Sequence, residues 1–162
     1  VTLVCGPPAA GKNTFVTRHA SSGELLIDLD AIGSSLLGKE TKAWSKSAYA
    51  EAMRARNNML ASLHRKNVVI YPRAWFIASE PEAKWRQWWV DKLGVDRVVV
   101  VETPQEICEA RIAADRSRES QRGAAVNWWK RYHRRDGDEA VTDYGSLDDV
   151  IEKTRRPCAF SA

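Results

Sequence analysis

Cysteine is scarce in this 162-residue chain: Cys5, Cys108 and Cys158 stand far apart, without a CxxC pair. An odd number at such spacing argues against a disulfide framework and a zinc site, so all three are expected as reduced, mostly packed thiols. Glycine and proline are also few, nine and six residues, which excludes collagenous and solenoid architectures. No apolar run approaches the ~18–20 residues needed to span a bilayer. The opening residues lack the basic start and apolar helical stretch of a secretion signal. A cytoplasmic protein with no membrane partner is the expectation. What remains, 44% hydrophobic and 28% charged residues, is the composition of one globular domain, residues 1–162, large enough to bury a core.

Tryptophan and positive charge are in excess, with seven Trp and a formal net charge of +4. The charge is unevenly placed. Residues 1–110 carry 14 basic and 12 acidic side chains, residues 111–135 eight and two, and residues 136–162 three and seven. A cationic segment is followed by an acidic tail at about 136–162, and the segment is the part suited to meeting phosphates.

Along the chain, Val1 to Cys5 is apolar, rich in β-branched residues and ends at Gly6, as a buried central strand does. Lys12 to Ala20 reads as a helix, Leu25 to Ile27 as a second strand, and a short helix follows through Leu36-Leu37. Ser45 to Lys66 has a long helical pattern, with Tyr49, Ala52, Met53, Met59, Leu60 and Leu63 inward. Val68 to Ile70 is the expected third strand and Arg97 to Glu102, with four consecutive Val, the fourth. Helices are expected from Pro81 to about Leu93, from Pro104 through Ile112, and from Ala124 to Arg135, with a weaker one at Leu147 to Lys153. Strands alternating with helices in this way imply an α/β fold, a parallel sheet covered on both faces.

Gly6-Pro-Pro-Ala-Ala-Gly11-Lys12-Asn13-Thr14 lies between the first strand and the first helix. It matches the phosphate-loop pattern in all but one position. Backbone N–H groups of Ala9, Ala10, Gly11 and their neighbours, with the helix N-terminus, make an anion site, and Lys12 adds charge for the β and γ phosphates. The departure is Asn13, where the pattern has Ser or Thr as a magnesium ligand; an amide oxygen is a poorer one, and Thr14 falls one residue late. Magnesium is therefore expected to be held mainly through nucleotide phosphates and water.

Asp28 and Asp30 follow the second strand, at the same sheet edge as the loop. They suit a division of work between proton acceptor and orienting group, or else a helix cap and a strand end. Arg111, Arg116, Arg118 and Arg122 follow the fourth strand; Arg111 and Arg116 are the expected phosphate contacts, in an arginine lid at about residues 114–124.

The loop at Gly6 to Thr14, the Ile27-Asp28-Leu29-Asp30 segment, the Thr103-Pro104, Cys108 and Arg111 helix start and the arginines from Arg116 to Arg122 resemble the P-loop kinases grouped with polynucleotide 5′-kinases and zeta-toxin-type kinases. The likeness spans about residues 1–135. It implies a three-layer P-loop NTPase fold with strand order 2-3-1-4, four or five strands, and ATP with Mg2+. It also implies a base after the second strand, for which Asp30 fits best and Asp28 second. It departs after the expected third strand, where many of these kinases have an acidic residue and a Thr-Asn pair and this chain has Tyr71-Pro72-Arg73-Ala74-Trp75. Arg73 is there a candidate for binding an acceptor phosphate, or a surface arginine.

Trp85, Trp88 and Trp89 fall at i, i+3 and i+4, an expected buried stripe. Trp128 and Trp129 are adjacent, so one is expected to be exposed among cations, as in grips on single-stranded nucleic acid. Trp44 is a candidate stacking platform for the acceptor. The expected activity is ATP-dependent transfer of the γ-phosphoryl group to a hydroxyl of a nucleic acid or nucleoside-like acceptor. The alternatives are a mononucleotide or small-molecule kinase and a nucleotide-binding regulatory protein with weak turnover.

Overall fold

The computed structural model describes residues 1–38, 44–63 and 73–142. In chain order the elements are β1 (Thr2–Cys5), α1 (Lys12–His19), β2 (Leu25–Asp28), α2 (Leu29–Leu37), α3 (Lys46–Ser62), β3 (Ala74–Ile77), α4 (Ala83–Leu93), β4 (Arg97–Val101), α5 (Gln105–Ala114), a 3-10 helix at Arg116–Gln121, α6 (Ala124–Arg131) and β5 (Asp138–Val141). The five strands form one sheet in the order β2-β3-β1-β4-β5, and every neighbouring pair is parallel. All strands therefore end at one edge, and the loops following β1, β2, β3 and β4 gather there.

Continuous apolar strands are what a sheet buried on both faces requires. Val4, Trp75, Ile77, Val99 and Val101 pack on one face with Phe15 and Val16 of α1 and Cys108 and Ile112 of α5. Leu3, Cys5, Ile27, Phe76, Val98 and Val100 pack on the other with Leu60 of α3 and Leu93 of α4. The sixth helix contributes Ala125 to the first face and Trp128 to the second. Cys5 and Cys108 are buried free thiols, pushed up by burial to about 12 and about 11. Cys158 lies outside the described residues.

Several expectations change. The third strand of the sheet is Ala74–Ile77, whereas Val68 to Ile70 and the helix expected at Leu147 to Lys153 lie outside the described residues. Within the expected acidic tail, Asp138–Val141 is a strand at the sheet edge, paired with β4. Trp85 and Trp88 are exposed rather than buried, and so is Tyr49; the side chain α4 sends fully inward is Arg86. Its guanidinium pairs with Asp138 at 2.9 Å and donates to the carbonyls of Glu80 and Pro81 at 2.8 Å each, and to that of His133. A cation so fully partnered settles which way the helix faces, because turning it outward would strip three carbonyls of their donor and leave the buried Asp138 to Arg135. Conversely, Trp128 is buried and Trp129 half-buried, both packed in a ring cluster with Tyr132. Neither forms an exposed stacking platform.

Candidate active site

The loop from Gly6 to Thr14 leaves the centre of the sheet, and the neighbouring strands brace it. Gly6 is required by space: a Cβ there would lie 2.8 Å from the carbonyl oxygen of Val101 in β4. Thr103 is fully buried and donates its hydroxyl to the Ala10 carbonyl at 2.7 Å. Arg111 of α5 donates to the Ala9 carbonyl at 3.0 Å, and Ser79, after β3, donates to the Gly6 carbonyl at 3.3 Å. Three elements thus hold loop carbonyls from outside, and while the Ala10 N–H is donated within the loop to the Pro7 carbonyl at 3.2 Å, the neighbouring N–H groups suit an anion.

Lys12 curls over this loop and donates to the carbonyls of Gly6 and Pro7 at 2.9 and 2.8 Å. Burial disfavours its charge and pulls its pKa down to about 8, while the carboxylates of Asp28 and Asp30 are among the charges opposing that fall. An arriving phosphate would supply the counter-charge that carbonyl dipoles replace only in part.

Asp28 ends β2 and is 7% exposed. One of its oxygens accepts from the Asn13 amide at 2.8 Å, and the other accepts from the Asp30 N–H at 3.3 Å, capping α2. The acidic pair is thereby joined to the first turn of the loop helix, with Asp30 half-buried one residue into α2. Farther along, the ring of Trp44 lies on Gly33 so closely that a Cβ at Gly33 would meet Cη2 at 2.1 Å. One face of the indole is therefore committed to α2, three residues beyond Asp30.

Among the arginines, Arg111 alone has a described contact with the loop. Arg118 pairs with Asp115 and Arg122 with Glu119, both at 3.0 Å, whereas Arg116 is exposed and makes no ion pair among the described residues. Arg73 requires a correction. It precedes β3 at the opposite edge of the sheet, where its carbonyl accepts from Leu25 and its guanidinium lies 3.9 Å from Glu24. A four-residue strand, roughly 13 Å at ~3.3 Å per residue, separates it from the loop edge, so it is not placed to bind an acceptor there.

The residues that do follow β3 are Ala78, Ser79 and Glu80, and sequence reasoning missed them by choosing the wrong apolar run. Glu80 is half-buried, and burial raises its pKa, partly offset by a hydrogen bond from Trp89 and the charges of Arg56 and Arg131. An acidic residue after the third strand is therefore present after all. The run Ala74-Trp75-Phe76-Ile77 followed by Ala-Ser-Glu-Pro was the available signal. Thr103 carried a weaker one, its place just before Pro104.

The fold has known relatives. A family model described as an AAA domain matches residues 1–135, and the chain belongs to that family. A gluconokinase from Sinorhizobium meliloti is similar in structure, with a TM-score of 0.56 and 13% identity over 94% of this chain and 87% of that one. An unliganded sugar kinase from Janibacter sp. has a TM-score of 0.53 and 13% identity, over 94% of this chain and 90% of that one. No curated protein matches the chain. The fold is that of the P-loop NTPases. No helix among the described residues is long and apolar enough to cross a membrane.

Proposed function

We propose that this member of the AAA-domain family is an ATP-dependent kinase that transfers the γ-phosphoryl group to a hydroxyl of a small polyol. The observation that carries the reading is the joining of a braced phosphate loop to an acidic pair through the Asn13–Asp28 hydrogen bond. Donor anion and acceptor base then share one rigid edge. The small-molecule acceptor, an alternative at the sequence level, takes precedence over nucleic acid for two reasons. The similar structures are a gluconokinase and a sugar kinase, and the tryptophan pair expected to stack on bases is packed against the body of the fold.

In this reading the loop N–H groups and Lys12 hold the β and γ phosphates, and Arg111 adds charge as the transferring group moves. The acceptor hydroxyl gives its proton to Asp30 as its oxygen bonds to the γ phosphorus, and the bridging oxygen leaves on ADP. Asp28, occupied by Asn13 and the α2 cap, keeps Asp30 in place. Arg116, on the 3-10 helix, is the second arginine assigned to the phosphates, and Trp44 walls the acceptor side. The oxygens of Asp28, Asn13 and the phosphates suit Mg2+, a hard cation that keeps much of its water and neutralises phosphate charge. If Asn13 limits that binding, Asn13→Thr raises magnesium-dependent turnover; unchanged turnover would remove the idea.

The test is 31P NMR of ATP with gluconate, hexoses, nucleosides, mononucleotides and 5′-hydroxyl oligonucleotides. A phosphomonoester formed on a sugar or sugar acid supports the reading. Transfer to oligonucleotides alone overturns the acceptor class, and tight ATP binding with no transfer favours the regulatory alternative.

A further inference from the structure

A cavity of about 330 Å³ opens between α3 and α4. Its walls include Arg56 and Leu60 of α3 and Trp88, Trp89, Lys92 and Leu93 of α4, and it shares no residue with the phosphate loop or the acidic pair. Trp88 is 44% exposed, although a large ring is the kind of side chain folding ordinarily covers. The rings of Trp88 and Trp89 meet edge to face, 4.6 Å apart at 75°, and form an aromatic corner.

The lining charges have one sign. Among the described residues Arg56 and Lys92 are its charged side chains, and none of the residues lining it is a carboxylate. Arg56 lies over the rings of Phe76 and Trp89, 5.7 Å from each, and donates through Nε and Nη2 to its neighbour Asn57. Among the described residues it makes no ion pair. Burial disfavours its charge, a cost that the charges of Tyr49 and Glu80 offset only in part, and an anion in the cavity would relieve what remains.

We propose that this cavity binds a small aromatic anion, one or two fused rings carrying a carboxylate, sulfonate or phosphate. The ring lies in the Trp88–Trp89 corner and the anionic group is held by Arg56 and Lys92. Size favours a small ligand, because the volume sits at the lower end of the ~300–1,000 Å³ of small-molecule sites. A nucleic-acid strand needs a cationic groove running past several nucleotides, whereas here both cations serve one cavity. The site does not depend on the kinase reading.

Titration calorimetry of the full chain with naphthalene-2-carboxylate tests it. Saturable binding is expected, with a dissociation constant of about 1 mM or tighter for a ligand of this size. The neutral naphthalene-2-methanol should bind at least roughly tenfold more weakly, for want of charge-assisted hydrogen bonds. Trp88→Ala and Lys92→Gln, both at exposed positions, should each weaken the carboxylate several-fold, and Arg56→Gln more. Lys12→Met should leave it unchanged. The proposal is overturned by absence of saturable binding, as when a segment of the chain already fills the cavity. Equal affinity for the alcohol, undiminished binding to Trp88→Ala, or competition by ATP would overturn it equally.

Discussion

Two cations, the half-buried Lys12 and the fully buried Arg86, are held in opposite ways. Arg86 is fully buried and neutralised by Asp138, its remaining N–H groups are donated to three carbonyls, and its guanidinium lies over the ring of Tyr132. Lys12 has two carbonyl partners and, among the described residues, no carboxylate in contact, and its pKa falls to about 8. A guanidinium with its counter-charge in place is part of the framework. An ammonium that has only dipoles is a site prepared for an anion from outside.

The comparison predicts that the same kind of substitution has opposite consequences at the two positions. Arg86→Met leaves Asp138 paired with Arg135 at 2.9 Å, so the largest effect belongs to Asp138→Asn, which leaves Arg86 buried without its counter-charge. Loss of about 3–5 kcal/mol of folding free energy is expected, read as the midpoint of urea unfolding. Lys12→Met should leave that midpoint nearly where it is but weaken ATP by roughly 10- to 150-fold, the ~1.5–3 kcal/mol of a hydrogen bond to a charged group. Equal destabilisation by both would end the distinction.

A titration sharpens the contrast. Bound phosphate raises the pKa of Lys12, so binding takes up a proton once the free lysine begins to lose its own. ATP affinity should be steady below about pH 8. Above it affinity should fall by as much as ~10-fold per pH unit until the pKa of the complex is passed. The smallest effect is expected at the loop's brace: Thr103→Val removes the hydroxyl from the Ala10 carbonyl and should cost roughly 1 kcal/mol, with ATP affinity falling less than for Lys12→Met.

The phosphate loop, the acidic pair and the strand order were legible because their signals are local: a glycine-lysine spacing, a carboxylate ending an apolar run, alternation of strand and helix. The tryptophans were not. Positions i, i+3 and i+4 establish that Trp85, Trp88 and Trp89 lie close together on α4, but not which way that side of the helix turns. The direction is set by Arg86, whose partner Asp138 is 52 residues away. Likewise Val68 to Ile70, outside the described residues, has the stronger β-branched pattern, and the strand between β1 and β2 is Ala74–Ile77, whose register is a long-range property. Misplacing that strand carried Arg73 to the wrong edge and hid Glu80.

The carboxylate that neutralises Arg86 lies three positions past residue 135, where the family match ends. A chain cut there would keep every residue of the phosphate loop and the acidic pair, yet enclose a guanidinium with no counter-charge. The border of shared ancestry and the border of the cooperative unit therefore fall at different residues. β5, outside the family match, completes the ion pair on which the family's own portion depends.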